Sequence, residues 1–257
     1  REDPDVSEAL TRRLVEDGVE VRTGIGLKGV TGGAEGGSLK TLHLDDGSDL
    51  GVEELLVSVG RAPNLESLNL ENAGVEYDPR SGVAVNDYLQ SSNRRIYAVG
   101  DVAYRYKFTH AAEATAAVAV QNALFFRTKK VDRLVVPWTT YTDPEVAHVG
   151  LSEQEAAATG VEIETYRHDL ESVDRARLDG EGGFVKLHSR KGRLVGATIV
   201  AAHAGEMIGE LVLAIQKGLT LSDLNGVIHP YPTQAEAIKR AAAGPLVGGL
   251  RRAGRGV

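Results

Sequence analysis

His229, Tyr231 and Glu236 stand within eight residues of one another, in His229-Pro230-Tyr231-Pro232-Thr233-Gln234-Ala235-Glu236. An imidazole titrates near neutrality and can shuttle a proton. A phenol with an ordinary pKa near ~10 is a poor base at pH 7 but a fair donor or metal-contacting oxygen. A second group is Ile96-Tyr97-Ala98-Val99-Gly100-Asp101-Val102, a short apolar run that stops at a glycine with an aspartate directly after it. A carboxylate at the end of a strand can accept hydrogen bonds from a sugar or polyol hydroxyl, and a glycine lets a ligand approach the backbone. A third is Phe108-Thr109-His110-Ala111, which opens an alanine-rich helical segment. The first N–H groups of a helix are unpaired, and with the helix dipole they stabilise negative charge. The side chain of His110 can serve such a site or simply cap the helix.

These residues need elements to hold them. Residues 7–17 read as a helix with Leu10 and Leu14 one turn apart, and residues 19–22 alternate as a strand. Residues 39–44 and 51–57 read as strands joined through Asp45-Asp46-Gly47-Ser48, a hairpin signal. Residues 55–59 form a buried-strand candidate leading into Gly60-Arg61. Short strands are expected at 83–85 and 96–99. Residues 111–126 carry small and apolar side chains on nearly every face and read as a buried helix. Charged residues 129–133 make a linker. Beyond it the pattern predicts strands near 146–149, 161–166, 184–189 and 193–201, and helices near 152–158, 204–217 and 234–243. Strands interleaved with helices in this way suggest an α+β domain. Thr233 and Glu236 have capping-box spacing for the last helix. Asp174 and residues 175–177 read as a solvated loop, and Asp143-Pro144-Glu145 as a structural turn.

Composition excludes several classes. No apolar run approaches the ~20 residues that span a membrane. A net charge of −7 argues against a general nucleic-acid binder. The absence of cysteine rules out disulfide staples and any redox disulfide within the chain. The basic tail at 251–255 reads as a solvated end. Glu206, His203 and His188 do not share a metal-ligand spacing, so no metal site is assigned. Gly24-Ile25-Gly26-Leu27-Lys28-Gly29 matches a dinucleotide fingerprint literally, but it runs into a glycine-rich loop at 29–37 and opens no helix, so it offers no anion site.

In order along the chain, Ser58-Val59-Gly60-Arg61-Ala62-Pro63-Asn64, the Gly100-Asp101 segment, the run from Thr142 to Leu151 and the His229–Glu236 segment resemble four motifs of the pyridine nucleotide–disulfide oxidoreductases. The resemblance covers essentially the whole chain. It implies partial Rossmann-like nucleotide-binding domains of mixed α/β character, followed by an α+β dimerisation domain. The expected divisions are 1–61 for the later part of an NAD(P)-binding domain, 62–133 for a segment of an FAD-binding domain, and 134–257 for dimerisation. It also implies FAD and NAD(P)H as cofactors. Asp101 would then take the ribitol hydroxyl of the flavin, with Gly100 beside it. His110 and Ala111 would face the flavin ring. Gly60 and Arg61 would lie on the cofactor side, Arg61 chiefly in polar contacts between domains. The partner would be a second copy, built from residue 134 onward with helix 206–215 contributing.

The family signature places a histidine directly before Pro-Thr-x-x-Glu, whereas here Tyr231 stands there and His229 lies two residues earlier. In one register Tyr231 takes the histidine's place. In the other a bulge lets His229 reach it, but two prolines of fixed φ oppose the bulge. A tyrosine there resembles the mercuric-reductase-like branch, although the tail lacks that branch's cysteine pair. The implied activity is transfer of electrons from NAD(P)H through flavin to a thiol, disulfide or metal-ion substrate, in the cytoplasm, with no nucleic acid or membrane involved. Because Arg1 begins mid-domain in this resemblance, the chain is expected to be the C-terminal part of a longer enzyme. The alternatives are a non-catalytic dimerisation module and a thiol-independent flavin oxidoreductase acting on quinones.

Overall fold

The computed structural model describes residues 1–32 and 39–245. Residues 33–37 of the glycine loop and the basic tail at 251–255 lie outside the described residues. The chain divides into two units, Leu14–Ala62 and a larger one made of Arg1–Arg13 and Pro63–Val257.

Helix α1 (Pro4–Glu16) begins earlier than its apolar spacing suggested. Proline suits a first helical position, where the missing N–H would have no partner and φ is already set. Val6, Ala9 and Leu10 pack against Val146, Phe184 and Val200 of the larger unit.

In the smaller unit, strands β1 (Leu27–Gly32), β2 (Lys40–Leu44) and β3 (Asp49–Val52) form an antiparallel sheet in chain order. The Asp45–Ser48 hairpin forms as expected. Gly47 takes φ +87°, and the Ser48 N–H donates to Asp46 Oδ1 at 2.9 Å. The literal dinucleotide fingerprint runs into β1, not into a helix. Two expected strands are absent. Residues 19–22 and 54–59 make no ladder, and Leu56 and Val59 are 88% and 93% exposed. A strand of the 55–59 kind is stable only when both faces are covered. No strand among the described residues pairs with it.

In the larger unit, β4 (Tyr77–Asp78) and β5 (Gly82–Val83) pair over a small core of Leu65, Val75, Val83 and Ala98. The strands expected at 83–85 and 96–99 shrink to this pair and to isolated bridges, Val85 with Ser91 and Gln90 with Tyr97. Helix α2 (Thr109–Leu124) forms, but only one face is buried, through Ala111, Thr115, Val118, Ala119 and Asn122. Val120, Leu124, Phe125 and Phe126 are exposed, so the expectation of burial all round fails. An apolar composition shows that a face can be buried. It does not supply the neighbour.

The rest builds one sheet. Strands β6 (Trp138–Thr140) and β7 (Glu145–Gly150) lead to helix α3 (Glu153–Thr159) and strand β8 (Glu164–Asp169). Helix α4 (Asp174–Asp179) precedes strands β9 (Phe184–Arg190) and β10 (Arg193–Ala201). Helices α5 (Ala204–Lys217), α6 (Leu221–Gly226) and α7 (Glu236–Ala242) follow. The strand order is β6-β7-β10-β9-β8, antiparallel throughout. Strand β8 starts later than expected, and β6, α4 and α6 were not anticipated, being too short to show a period. Alternation divides the sheet into two faces. Ala147, Val149, Val185, Leu187, Ala197 and Ile199 join Met207, Ile208, Leu211 and Ala214 of α5 in the main core. Helix α5 thus buries this face inside the chain and leaves Leu213 exposed. The other face carries Val146, Phe184 and Val200 under α1, beside the buried polar residues His148, Lys186, His188 and Thr198.

That second face holds a charge cluster. The Lys186 ammonium lies 3.2 Å from Asp3, 2.9 Å from Asp5 and 3.0 Å from Glu153. The three carboxylates are close enough together to hold a cation, and Lys186 supplies one. Asp3 also accepts the N–H groups of Glu153 and Gln154 at the start of α3. Helices and sheets thus mix throughout, as expected. Among the described residues no helix is long and apolar enough to cross a membrane.

Candidate functional site

Gly100, Asp101 and Val102 form a single tight turn after the apolar run. Gly100 takes φ +65°, and a Cβ there would meet the Cβ of Ala112 at 2.9 Å. Its N–H donates to Thr115 Oγ1 at 3.1 Å, and that hydroxyl in turn donates to the carbonyl of Ala111. The glycine expected to admit a ligand therefore admits helix α2. This contact seats the half-buried Asp101 beside the first turns of that helix.

The start of α2 has no side-chain cap; Phe108 takes the N-cap position in extended backbone. His110 is turned aside. Its Nε2–H donates to the carbonyl of Pro137 at 2.8 Å, and its ring stacks on Phe108 with centroids 5.3 Å apart. Its side chain tethers the helix to the strand-ward chain, and Ala111 is buried. Along this helix lies a cleft of about 350 Å³ walled by His110, Ala111, Ala114, Pro137, Tyr141 and Ile208. A carboxylate acceptor beside uncapped helix amides suits a group that presents hydroxyls and gathers negative charge. Gly60 and Arg61 belong to the smaller unit, where both are exposed.

The 229–236 segment is arranged differently from its expected capping box. The Thr233 hydroxyl donates to the carbonyl of Pro230 at 2.8 Å, and α7 begins only at Glu236. Oε1 of Glu236 accepts both Nε and an Nη of Arg240, at 3.0 and 2.8 Å. An i, i+4 arginine one turn along the helix is a closer partner than a residue across the loop. Tyr231 is 70% exposed, and its hydroxyl donates to Asp174 Oδ2 at 2.7 Å. That hydrogen bond first, and the charge of Asp174 second, raise the phenol's pKa above its ordinary value. The side chain of His229 is 5% exposed, and its Nε2 lies 3.0 Å from Glu210 Oε2.

Two residues at this site escaped the sequence reading. Asp174 is not in a solvated loop; it starts α4 and holds Tyr231. Glu210 sits inside Met207-Ile208-Gly209-Glu210-Leu211-Val212, where an acid in an apolar helical run was the available signal. Asp143-Pro144-Glu145 is structural: Glu145 Oε2 accepts the N–H of Gly205 at 2.8 Å, at the start of α5.

Residues 1–116 match the family described as pyridine nucleotide-disulphide oxidoreductase, and residues 136–242 match its dimerisation domain. The chain is 39% identical over 246 residues to a mercuric reductase of Staphylococcus aureus, a match covering 93% of the chain and 44% of that protein. It is 35% identical over 253 residues to a dihydrolipoyl dehydrogenase of Thermus scotoductus, covering 93% and 53%. Among solved structures, LpdA from Mycobacterium tuberculosis superposes with a TM-score of 0.84 at 26% identity, covering 94% of this chain and 53% of that one. The HOCl-induced flavoprotein disulfide reductase RclA of Escherichia coli shares the fold, with a TM-score of 0.85 at 24% identity, covering 95% and 56%. The chain spans about half the length of the relatives it matches.

Proposed function

The chain belongs to the pyridine nucleotide–disulphide oxidoreductases, an FAD-dependent family that uses NAD(P)H, and on that premise we propose that it forms part of the flavin site and the dimerisation surface of such an enzyme. Residues 1–61 would serve the nicotinamide side, 62–133 the flavin side and 134–257 the pairing of two copies. The flavin, when bound, supplies the passage of electrons between nicotinamide and substrate. This chain's own residues position it. Asp101 accepts a hydroxyl of its polyol, and the α2 amides beside Ala111 stabilise charge on its ring. Gly60 and Arg61 line the cofactor side of the smaller unit. The proposed substrate is a disulfide, a thiol or a metal ion. The tyrosine before Pro-Thr and the likeness to mercuric reductases support the metal-ion branch. Tyr231 and Glu236 are assigned to the substrate side, with His229 behind them. Cytoplasmic residence belongs to the same reading, supported by the absence of any disulfide framework.

The Gly100-Asp101 turn locked onto the start of α2 is the observation that carries this reading. Losing a charge-assisted hydrogen bond to a polyol costs about 1.5–3 kcal/mol, or roughly 10- to 150-fold in affinity. Asp101→Ala in the flavin-containing protein should weaken FAD binding by that factor in a fluorescence titration. Unchanged affinity would remove Asp101 from the site.

Pairing of two copies is supported by apolar side chains that remain exposed beyond residue 134: Tyr141, Leu178, Leu213, Ile228 and Tyr231. Obligate interfaces bury more than about 2,000 Å² and are rich in such residues. Analytical ultracentrifugation should find a dimer at micromolar concentration. A stable monomer there would count against the assignment.

A further inference from the structure

The 229–236 segment presents an imidazole and a phenol two residues apart, and each has a carboxylate of its own. His229 faces Glu210 of α5, and Tyr231 faces Asp174 of α4. Glu236, the acid nearest both in sequence, spends one oxygen on Arg240, and its other oxygen is buried with no partner among the described residues.

The direction of the first hydrogen bond follows from elementary bonding. An ionised carboxylate offers only lone pairs, so Nε2 of His229 must bring the hydrogen. A neutral imidazole carries one N–H, and Nδ1 is then left as a bare acceptor. This Nδ1 is buried and makes no hydrogen bond among the described residues. Buried polar atoms are nearly always paired, so an unpaired one calls for an explanation. The second hydrogen bond runs the same way, from the side chain of this segment to a carboxylate. The phenol gives its hydrogen to Asp174 and is thereby kept in its protonated form.

We propose that Glu210, not Glu236, is the positioning carboxylate of this segment: it fixes His229 as the Nε2–H tautomer and leaves Nδ1 as its accepting atom. The proposal rests on the reading above, in which this segment faces a substrate. It gives that substrate side lone pairs: the exposed Tyr231 oxygen, its hydrogen given to Asp174, can only accept, and Nδ1 of His229 behind it is likewise an acceptor.

The tautomer can be read in the chain itself. Long-range ¹H–¹⁵N correlation spectra of the labelled protein, at a pH where its histidines are neutral, should show His229 with hydrogen on Nε2 and none on Nδ1. His229→Gln identifies its signals among the seven histidines. Glu210→Ala should release a mixture of tautomers. Glu210→Gln, whose amide oxygen can still accept, should restore the Nε2–H form, and Glu236→Ala should leave it untouched. An Nδ1–H form in the parent overturns the proposal, and so does a response to Glu236→Ala but not to Glu210→Ala. The parent spectrum decides even where a variant fails to fold. NAD(P)H-dependent reduction of a disulfide or a metal ion by the flavin-loaded enzyme tests the underlying reading separately. With the tautomer as expected and that reduction absent, the functional reading falls and the Glu210 assignment stands.

Discussion

Lys186→Met is expected to cost about 3–5 kcal/mol of folding stability, the usual effect of removing one partner from a buried ion pair. Lys186 is 2% exposed at its side chain, and Asp3, one of its three carboxylate partners, is 1% exposed. Burial alone would drive the ammonium to give up its proton. Its hydrogen bonds to Asp5 and Glu153, and the charges of Asp5 and Asp3, reverse that and raise its pKa. Burial likewise pushes the Asp3 carboxyl up, but the N–H groups of Gln154 and Glu153 and the charge of Lys186 hold it below the ordinary value. Methionine matches the length of the stem and removes the charge, so three acids would be left facing one another. Urea denaturation at pH 7 measures the loss. A change below about 1 kcal/mol would mean that the start of α3 and solvent suffice for Asp3. Asp3 and Asp5 precede or begin α1, so the variant should also loosen that helix. Trp138, the chain's one tryptophan, donates to Glu2 at 2.8 Å and should report the change by fluorescence.

Acid should weaken the fold through His188, in the same layer. Its side chain is fully buried, Nδ1 meets the Thr165 hydroxyl at 3.0 Å, and Nε2 has no hydrogen-bond partner among the described residues. Burial first, and the neighbouring Lys186 charge second, lower its pKa from 6.5 to about 4, against the smaller opposing pull of Glu153 and Asp3. The unfolded chain therefore binds a proton at this residue more readily than the native one. The stabilisation is complete above about pH 6.5 and is lost as the pH falls toward 4. Each tenfold difference in proton affinity between the two states is worth ~1.36 kcal/mol, so the loss is about 2 kcal/mol at pH 5 and about 3 kcal/mol once both states are protonated. His168, also lowered, by burial first and then by Arg240, acts with the same sign. The quantity to measure is thus the difference in slope between the parent and His188→Gln, from denaturation curves between pH 7 and 4.5. Parallel slopes would show that His188 takes up its proton as easily folded as unfolded.

Local order along the chain specified much of this architecture. Alternation from Phe184 to Ala201, and the 3.6-residue period from Ala204 to Lys217, announce β9, β10 and α5 because side-chain direction follows backbone repeat. The Asp-Gly hairpin and the Gly100-Asp101 turn were legible for a related reason. Backbone with positive φ leaves few residue choices. Periodicity shows which face of an element is apolar, but not what covers the other face. Read along β9, Lys186 and His188 occupy the polar alternates that usually meet solvent. The first residues of the chain and the start of α3, brought from far away in sequence with Asp3, Asp5 and Glu153, make them interior. Residues 55–59 show the converse: an apolar run that reads as buried stands exposed, because no strand among the described residues pairs with it. The acid–base segment was found by its residue types, yet its partners were not. Glu210 is 19 residues from His229, and Asp174 is 57 from Tyr231. Glu236, the partner that spacing proposed, was taken by an arginine one helical turn away. Hydrogen-bond partners are chosen by distance in space, and for long side chains at element ends that distance is set by packing and not by order in the chain.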